Sequence, residues 1–291
     1  MLQLDSSFEL SQEASDKLDQ LQKEVDMVVS FQQKVEKAQT LWKSKERNNA
    51  GEKVFSEIRE KLKDMCVSIG ICNYCEQSEA SDIEHIAPKS FFPEHTFKWD
   101  NYLLACKQCN TGYKLDQCFV ISNSGEAIPV PRSIEPPFKE MAFINPKTED
   151  PNRFMIINTQ TFKFSIFDDL PKKDKNKADK TIEILKLNER DTLIAARKFS
   201  ADYFYERIDR LSKILKATTI DEIECLLSPY EKYLDSNLSI DQLKVEIKKG
   251  FKKNILEYQH PSVWHAIKKV ESKMTPKWKA LFDEIPEALN W

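Results

Sequence analysis

Glycine is scarce: five residues in 291, none of them set in a GxGxxG or GxxxxGK(S/T) pattern. That scarcity excludes a dinucleotide-binding fold and a P-loop ATPase, because both need glycines to bring backbone N–H groups against phosphate. Long apolar runs are missing too. No stretch approaches the roughly 18–20 residues a spanning helix needs, and the opening MLQLDSSFELSQEAS has no signal-peptide pattern. A cytoplasmic chain without membrane contact is expected. With 41% hydrophobic and 31% charged residues, the chain is neither disordered nor membrane-embedded, and it has room for one large domain or two small ones.

Charge of one sign is also lacking overall, the net being −3, yet the distribution is uneven. Residues 1–30 hold seven acids against two lysines. Positive clusters stand at Lys172–Lys180 (five Lys, two Asp) and Lys244–Lys253 (five Lys, one Glu). Each can face nucleic acid phosphates or be the solvated side of a Lys-rich helix.

Seven cysteines, without a secretory context, do not suggest a disulfide framework. Four of them form two Cys-x-x-Cys units, Cys72–Cys75 and Cys106–Cys109, thirty residues apart. A tight turn lets each unit span one edge of a tetrahedron, so four thiolates can close a structural Zn²⁺ site. A thioredoxin-like redox pair would need a βαβ setting and no second copy. Cys66, Cys118 and Cys225 read as ordinary buried thiols.

Between the two pairs lies Asp82-Ile-Glu84-His85-Ile-Ala-Pro88-Lys89-Ser90, followed by Lys98-Trp99-Asp100-Asn101 and a short apolar run. After Cys109 comes Asn110-Thr-Gly-Tyr-Lys114. The pattern predicts strand, loop, strand and short helix, with zinc joining the first strand to the helix. That plan gathers Glu84, His85, Asn101 and Asn110. A histidine titrating near neutrality can take a proton from water. A carboxylate with an amide oxygen can hold a hard cation such as Mg²⁺ or Mn²⁺ against developing phosphoryl charge. One geometric demand follows: neighbours on an ideal strand face opposite ways, so Glu84 and His85 can share a site only at a kink or a strand end.

The segment from Cys72 to Lys114 resembles the HNH endonucleases, whose ββα-metal fold has these elements in this order. The resemblance implies His85 as general base, Glu84 and Asn110 as ligands of the catalytic Mg²⁺ or Mn²⁺, and Asn101 as an orienting residue. It also implies structural zinc on Cys72, Cys75, Cys106 and Cys109. Pro88-Lys89-Ser90, Trp99-Asp100-Asn101, Asn145-Pro146, Asp150-Pro151 and the run Ala178–Arg190 are similar to the HNH subfamily of Septu antiphage systems and related retron effectors (PtuB-like). There the nuclease works beside an SMC-like ATPase subunit (PtuA-like). Nucleic acid, DNA rather than RNA, is the implied substrate, with Lys89, Lys107 and Lys114 as candidate phosphate contacts. After Lys114 the chain runs Leu-Asp-Gln-Cys118-Phe119, which departs from the Gly-then-Phe-Pro ending of the family pattern. Two other classes stand beside the enzyme: a catalytically silent, zinc-stabilised nucleic-acid-binding module, and a scaffold subunit that binds an ATPase.

The expected fold class is α+β, predominantly α-helical, with a small zinc-stabilised ββα-metal finger embedded among helices. Four segments are expected: a helical region over 1–60 with a partner-docking option, the nuclease core over 61–120, a Pro-rich loop and β-prone stretch over 121–170, and a helical region over 171–291. Residues 10–47 read as one long helix, since no Gly or Pro interrupts them. Residues 125–137, with four prolines, read as a loop or linker. His95, His260 and His265 read as core or surface histidines.

Overall fold

Polar caps, with no glycine or proline, divide the N-terminal helical pattern. α1 (Gln12–Asp26) begins at Ser11, whose side chain accepts from Ala14 N–H. α2 (Phe31–Ser44) begins at Ser30 and α3 (Asn49–Asp64) at Asn48, each capping in the same way. The single helix expected over 10–47 is therefore broken at Met27–Ser30, because a serine side chain can satisfy the first N–H groups of a new helix. Ala14, Leu18, Leu21, Val25, Val35 and Ala38 are buried, and α1 packs against both α2 and α3. The apolar stripe thus serves its own unit.

Residues 1–229, 231 and 238–291 are described in this computed structural model. Two units divide the chain: Met1–Ile156 with Lys163–Leu193, and Ile157–Phe162 with Ile194–Trp291. In the first unit, β1 (Asp82–His85) pairs antiparallel with β2 (Tyr102–Ala105), Asp82 opposite Ala105 and His85 opposite Tyr102. A π-helical turn, Gln108–Lys114, follows β2. β3 (Phe119–Ile121) and β4 (Ala127–Pro129) form a second hairpin. Val120 and Val130 bury against Phe91 and Phe92 of the loop between β1 and β2. The Pro-rich stretch is therefore a wall packed on the finger. β5 (Met155–Ile157) and β6 (Phe164–Ile166) pair in the β-prone segment, and α4 (Lys172–Ile184) follows.

The second unit is helical: α5 (Asp191–Lys216) from Ile194 onward, α6 (Ile220–Leu226), α7 (Ile240–Leu256), α8 (Pro261–Ala266), α9 (Ser272–Met274) and α10 (Pro276–Glu284). Phe204, Trp264, Trp278 and Phe282 form a chain of ring contacts inside it. His260 is buried and His95 exposed. Cys225 is exposed, contrary to its reading as a buried thiol, whereas Cys118 is buried. The chain is thus helix-rich with small strands, and no described helix is long and apolar enough to cross a membrane.

Neither lysine cluster presents a bare positive face. Lys172 pairs with Glu126, Lys173 with Glu140 at 3.1 Å, Lys177 with Glu149 at 2.5 Å and Lys180 with Glu183 at 2.5 Å. Lys248 and Lys249 pair with Glu287 and Glu246, and Lys244 donates to the Leu215 carbonyl. Glutamates both near and far in sequence pair with most of these lysines.

Candidate active site

Four sulfurs organise the finger. Cys72, Cys75, Cys106 and Cys109 are buried, and their sulfurs all lie within 4.8 Å of one another. The Cys75 and Cys106 sulfurs are 3.9 Å apart. A Zn–S bond of ~2.3 Å implies a tetrahedral edge of about 3.8 Å, so the cluster fits a closed Zn²⁺ site. Hydrogen bonds from the Cys106, Cys109 and Cys72 thiols hold Cys75 far below the usual thiol range. Those from Cys109 and Cys72 bring Cys106 down to about 7. Arg190 was singled out by no chemistry in the sequence. Its guanidinium donates to Cys109 Sγ at 3.4 Å and lies 4.9 Å from the Tyr113 ring centroid, a cation set to offset the negative charge of four thiolates.

Because Asp82 is paired with Ala105, the residue before Cys106, the sulfur cluster fixes both the start of β1 and the start of the π-helical turn. A cleft of about 410 Å³ opens above them, lined by Glu84, His85, Asn110, Lys89, Trp42 and Arg132 among others. Glu84 and His85 both reach it. His85 is the last residue of β1, one position beyond Glu84. The strand end thus meets the demand that strict alternation would have refused.

His85 is buried, with its Nε2 3.0 Å from the Thr96 carbonyl. A carbonyl only accepts, so Nε2 carries the proton and Nδ1 keeps a free lone pair. Tyr102 O–H donates to the same carbonyl at 2.6 Å. Trp42 packs edge-on against the imidazole at 4.2 Å between ring centroids. Burial, with Lys89 adding to it, pushes His85 well below the usual imidazole range. The ring is neutral at neutral pH, the form that can accept a proton.

Asn101 spans the loop. Its Nδ2 donates to the carbonyls of Ala87 and His95 at 3.0 and 2.9 Å, and its Oδ1 accepts from Ala87 N–H at 2.7 Å. Every polar atom of this amide is used on backbone, which holds the loop that carries Thr96. From α1, buried Gln22 grips the same loop, donating to Pro93 O at 3.2 Å and accepting from Phe97 N–H at 2.9 Å. The N-terminal helices therefore belong to the site's framework, through Gln22 and Trp42. Neither residue stands out in a sequence where both look like members of an amphipathic helix.

Lys114 lies elsewhere than expected. It is buried, its Nζ 2.5 Å from Glu84 Oε1 and donating to the His85 carbonyl at 2.8 Å. No surface remains for a phosphate, so its reading as a phosphate contact is corrected: it is the counter-ion of the Glu84–His85 pair. The contact to Glu84 is an ion pair off the hydrogen-bonding direction, since that oxygen makes no hydrogen bond. Lys89 lines the cleft and Lys107 is exposed on the approach to the π-helical turn, outside the cleft wall. Arg132, from the Pro-rich stretch, joins the rim and pairs with Asp116 at 2.6 Å. Replacing Lys114 with Met is expected to lower stability by about 3–5 kcal/mol, because the Glu84 carboxylate would stay buried without its cation. Urea unfolding measures this, and an unchanged midpoint would contradict it.

Glu84 and Asn110 supply a carboxylate and an amide at the cleft wall, the oxygen donors a hard cation takes along with water. The donor set fits Mg²⁺ or Mn²⁺.

The π-helical turn closes with Leu115 N–H donating to Asn110 O at 2.7 Å, which leaves Leu115 at φ 46° and ψ −121°. Side chains avoid that region at a cost of order 1–3 kcal/mol. The departure from the family ending after Lys114 therefore falls on a strained, half-exposed leucine. Leu115→Gly is expected to raise Tm by roughly 2–6 °C. Differential scanning calorimetry tests it, and a fall in Tm would show that the leucine packs usefully.

Residues 72–114 match the family model for HNH endonucleases. Over 224 residues, 74% of this chain and 69% of the relative, the sequence is 25% identical to the Septu protein PtuB of Bacillus thuringiensis. No solved structure gives a significant match.

Proposed function

We propose that this chain is a divalent-metal-dependent HNH endonuclease that hydrolyses phosphodiester bonds of DNA, and that it is the nuclease subunit of a Septu-like defence complex. The observation that carries the reading is His85, its Nε2 committed to a carbonyl and its Nδ1 free, in one cleft with Glu84 and Asn110. In this reading His85 Nδ1 takes a proton from a water whose oxygen bonds to phosphorus as the bond to the leaving oxygen breaks. Thr96 keeps the imidazole in the tautomer with Nδ1 free, and Lys114 holds the carboxylate and the strand end beneath it. Glu84 and Asn110 would hold Mg²⁺ or Mn²⁺, which supplies charge stabilisation for the phosphoryl and leaving oxygens. Asn101 orients the loop. The four cysteines hold structural zinc. Lys89 and Arg132 at the cleft, with Lys107 beyond it, meet flanking phosphates.

An SMC-like ATPase subunit is the proposed partner. The family resemblance supports it. Co-purification of the two chains tests the partnership. The nuclease reading is tested by incubating the protein, alone and with that partner, with plasmid DNA and with RNA, with and without Mn²⁺. Mn²⁺-dependent nicking or linearisation of plasmid is the expected result. Intact plasmid under both conditions would leave the catalytically silent binding module as the better description.

A further inference from the structure

We propose that Asp82 is a positioning residue of the metal site, its carboxylate deciding which end of the Asn110 amide faces the cleft. The inference rests on Asn110 being a metal ligand. An amide has two unlike ends: the oxygen can ligate a cation, whereas the NH₂ group repels one. Rotation by half a turn about the last side-chain bond exchanges them, and that torsion is broad and roughly two-fold. Something must choose.

Asn110 Nδ2 donates to Asp82 Oδ2 at 3.1 Å. A carboxylate at neutral pH only accepts, so it binds the NH₂ end and no other. Asn110 lines the cleft and Asp82 does not. The NH₂ group is thus drawn toward the finger, and Oδ1 remains as the end offered to an ion. Asp82 is itself held, accepting from Ser81 Oγ on its other oxygen at 3.0 Å, and by its pairing with Ala105 beside the sulfur cluster. The two ligands therefore need different supports. Glu84 has two equivalent oxygens and needs a counter-charge, which Lys114 provides. Asn110 needs an orientation, which Asp82 provides.

The test is Mn²⁺ affinity, followed by the electron paramagnetic resonance signal of free Mn²⁺ over the full-length, zinc-loaded protein. Asp82→Ala is expected to weaken binding by about 10–100-fold, as loss of an outer partner does, with zinc still at about one per chain. Asp82→Ala/Asn110→Asp is expected to return to within about threefold of the parent, because a carboxylate at 110 offers two equivalent oxygens and needs no orienting. Asn110→Ala should lose binding outright. If Asp82→Ala binds like the parent while Asn110→Ala does not, the positioning role is overturned and the ligand reading stands. If Asn110→Ala also binds and cuts like the parent, the ligand reading fails and takes this inference with it. Should Asp82→Ala lose its zinc, the nearly isosteric Asp82→Asn decides: an amide there can meet either end of the Asn110 amide, so weakened Mn²⁺ binding with zinc in place supports the role, and parental Mn²⁺ affinity overturns it.

Discussion

His85→Asn is expected to abolish metal-dependent cleavage, by about 10²–10⁴-fold, the share a positioned general base contributes. Asparagine is the sharper choice over alanine. It leaves a smaller void beneath Trp42 than alanine would, and it has no group that can take a proton from water. Zinc content and affinity for uncleaved DNA should hold, since neither uses the imidazole. Because burial holds the His85 pKa below its ordinary value, the acid limb of the parent's pH–rate profile should lie below about pH 6.5. Above that, the base is already unprotonated. A His85→Asn enzyme that cuts at the parental rate would remove the proton-transfer role and leave the cleft a binding surface.

Removing zinc should have the largest effect on stability. Structural zinc is worth about 10–16 kcal/mol in small metal-folded peptides, and even a third of that shifts Tm by roughly 10 °C in a domain of this size. The cluster joins elements that otherwise share little: the Cys72–Cys75 turn, the register of β1 on β2, and the turn that carries Asn110. Cys106→Ser, or prolonged chelation of the parent, is expected to drop zinc from one per chain to none. It should also lower Tm by at least about 10 °C and end cleavage, since Glu84 and Asn110 would no longer be held on one wall. Chelated protein that keeps its Tm would show four thiols packed together without a metal's help.

These two effects fall on residues that could be found without a structure, for a physical reason. Candidate metal ligands and a candidate base belong to few residue types, and short turns and a hairpin fix their spacing, so Cys-x-x-Cys, Glu84-His85 and Asn110 stand out in the linear chain. The strand–loop–strand–helix plan was legible for the same reason: its strands form one hairpin, and the four sulfurs join its two ends. Helical character at both ends followed from apolar periodicity. The break at Ser30 did not, because a single serine cap looks like any other surface serine until its N–H partners are seen.

Long-range contacts settled the rest. Lys114 reads as a surface lysine in any sequence, and only the closure of the π-helical turn over β1 turns it inward against Glu84. Trp42 and Gln22 come from helices more than forty residues upstream of His85, and no periodicity says which buried face will meet the imidazole or the loop that carries Thr96. The lysine clusters were judged by their neighbours in sequence, whereas part of their charge is met by glutamates that folding brings alongside. The candidate ligands and base of one short finger were written in the order of its residues. Orientation, counter-charge and support depend on chain segments that meet only after folding, and those belonged to the tertiary structure alone.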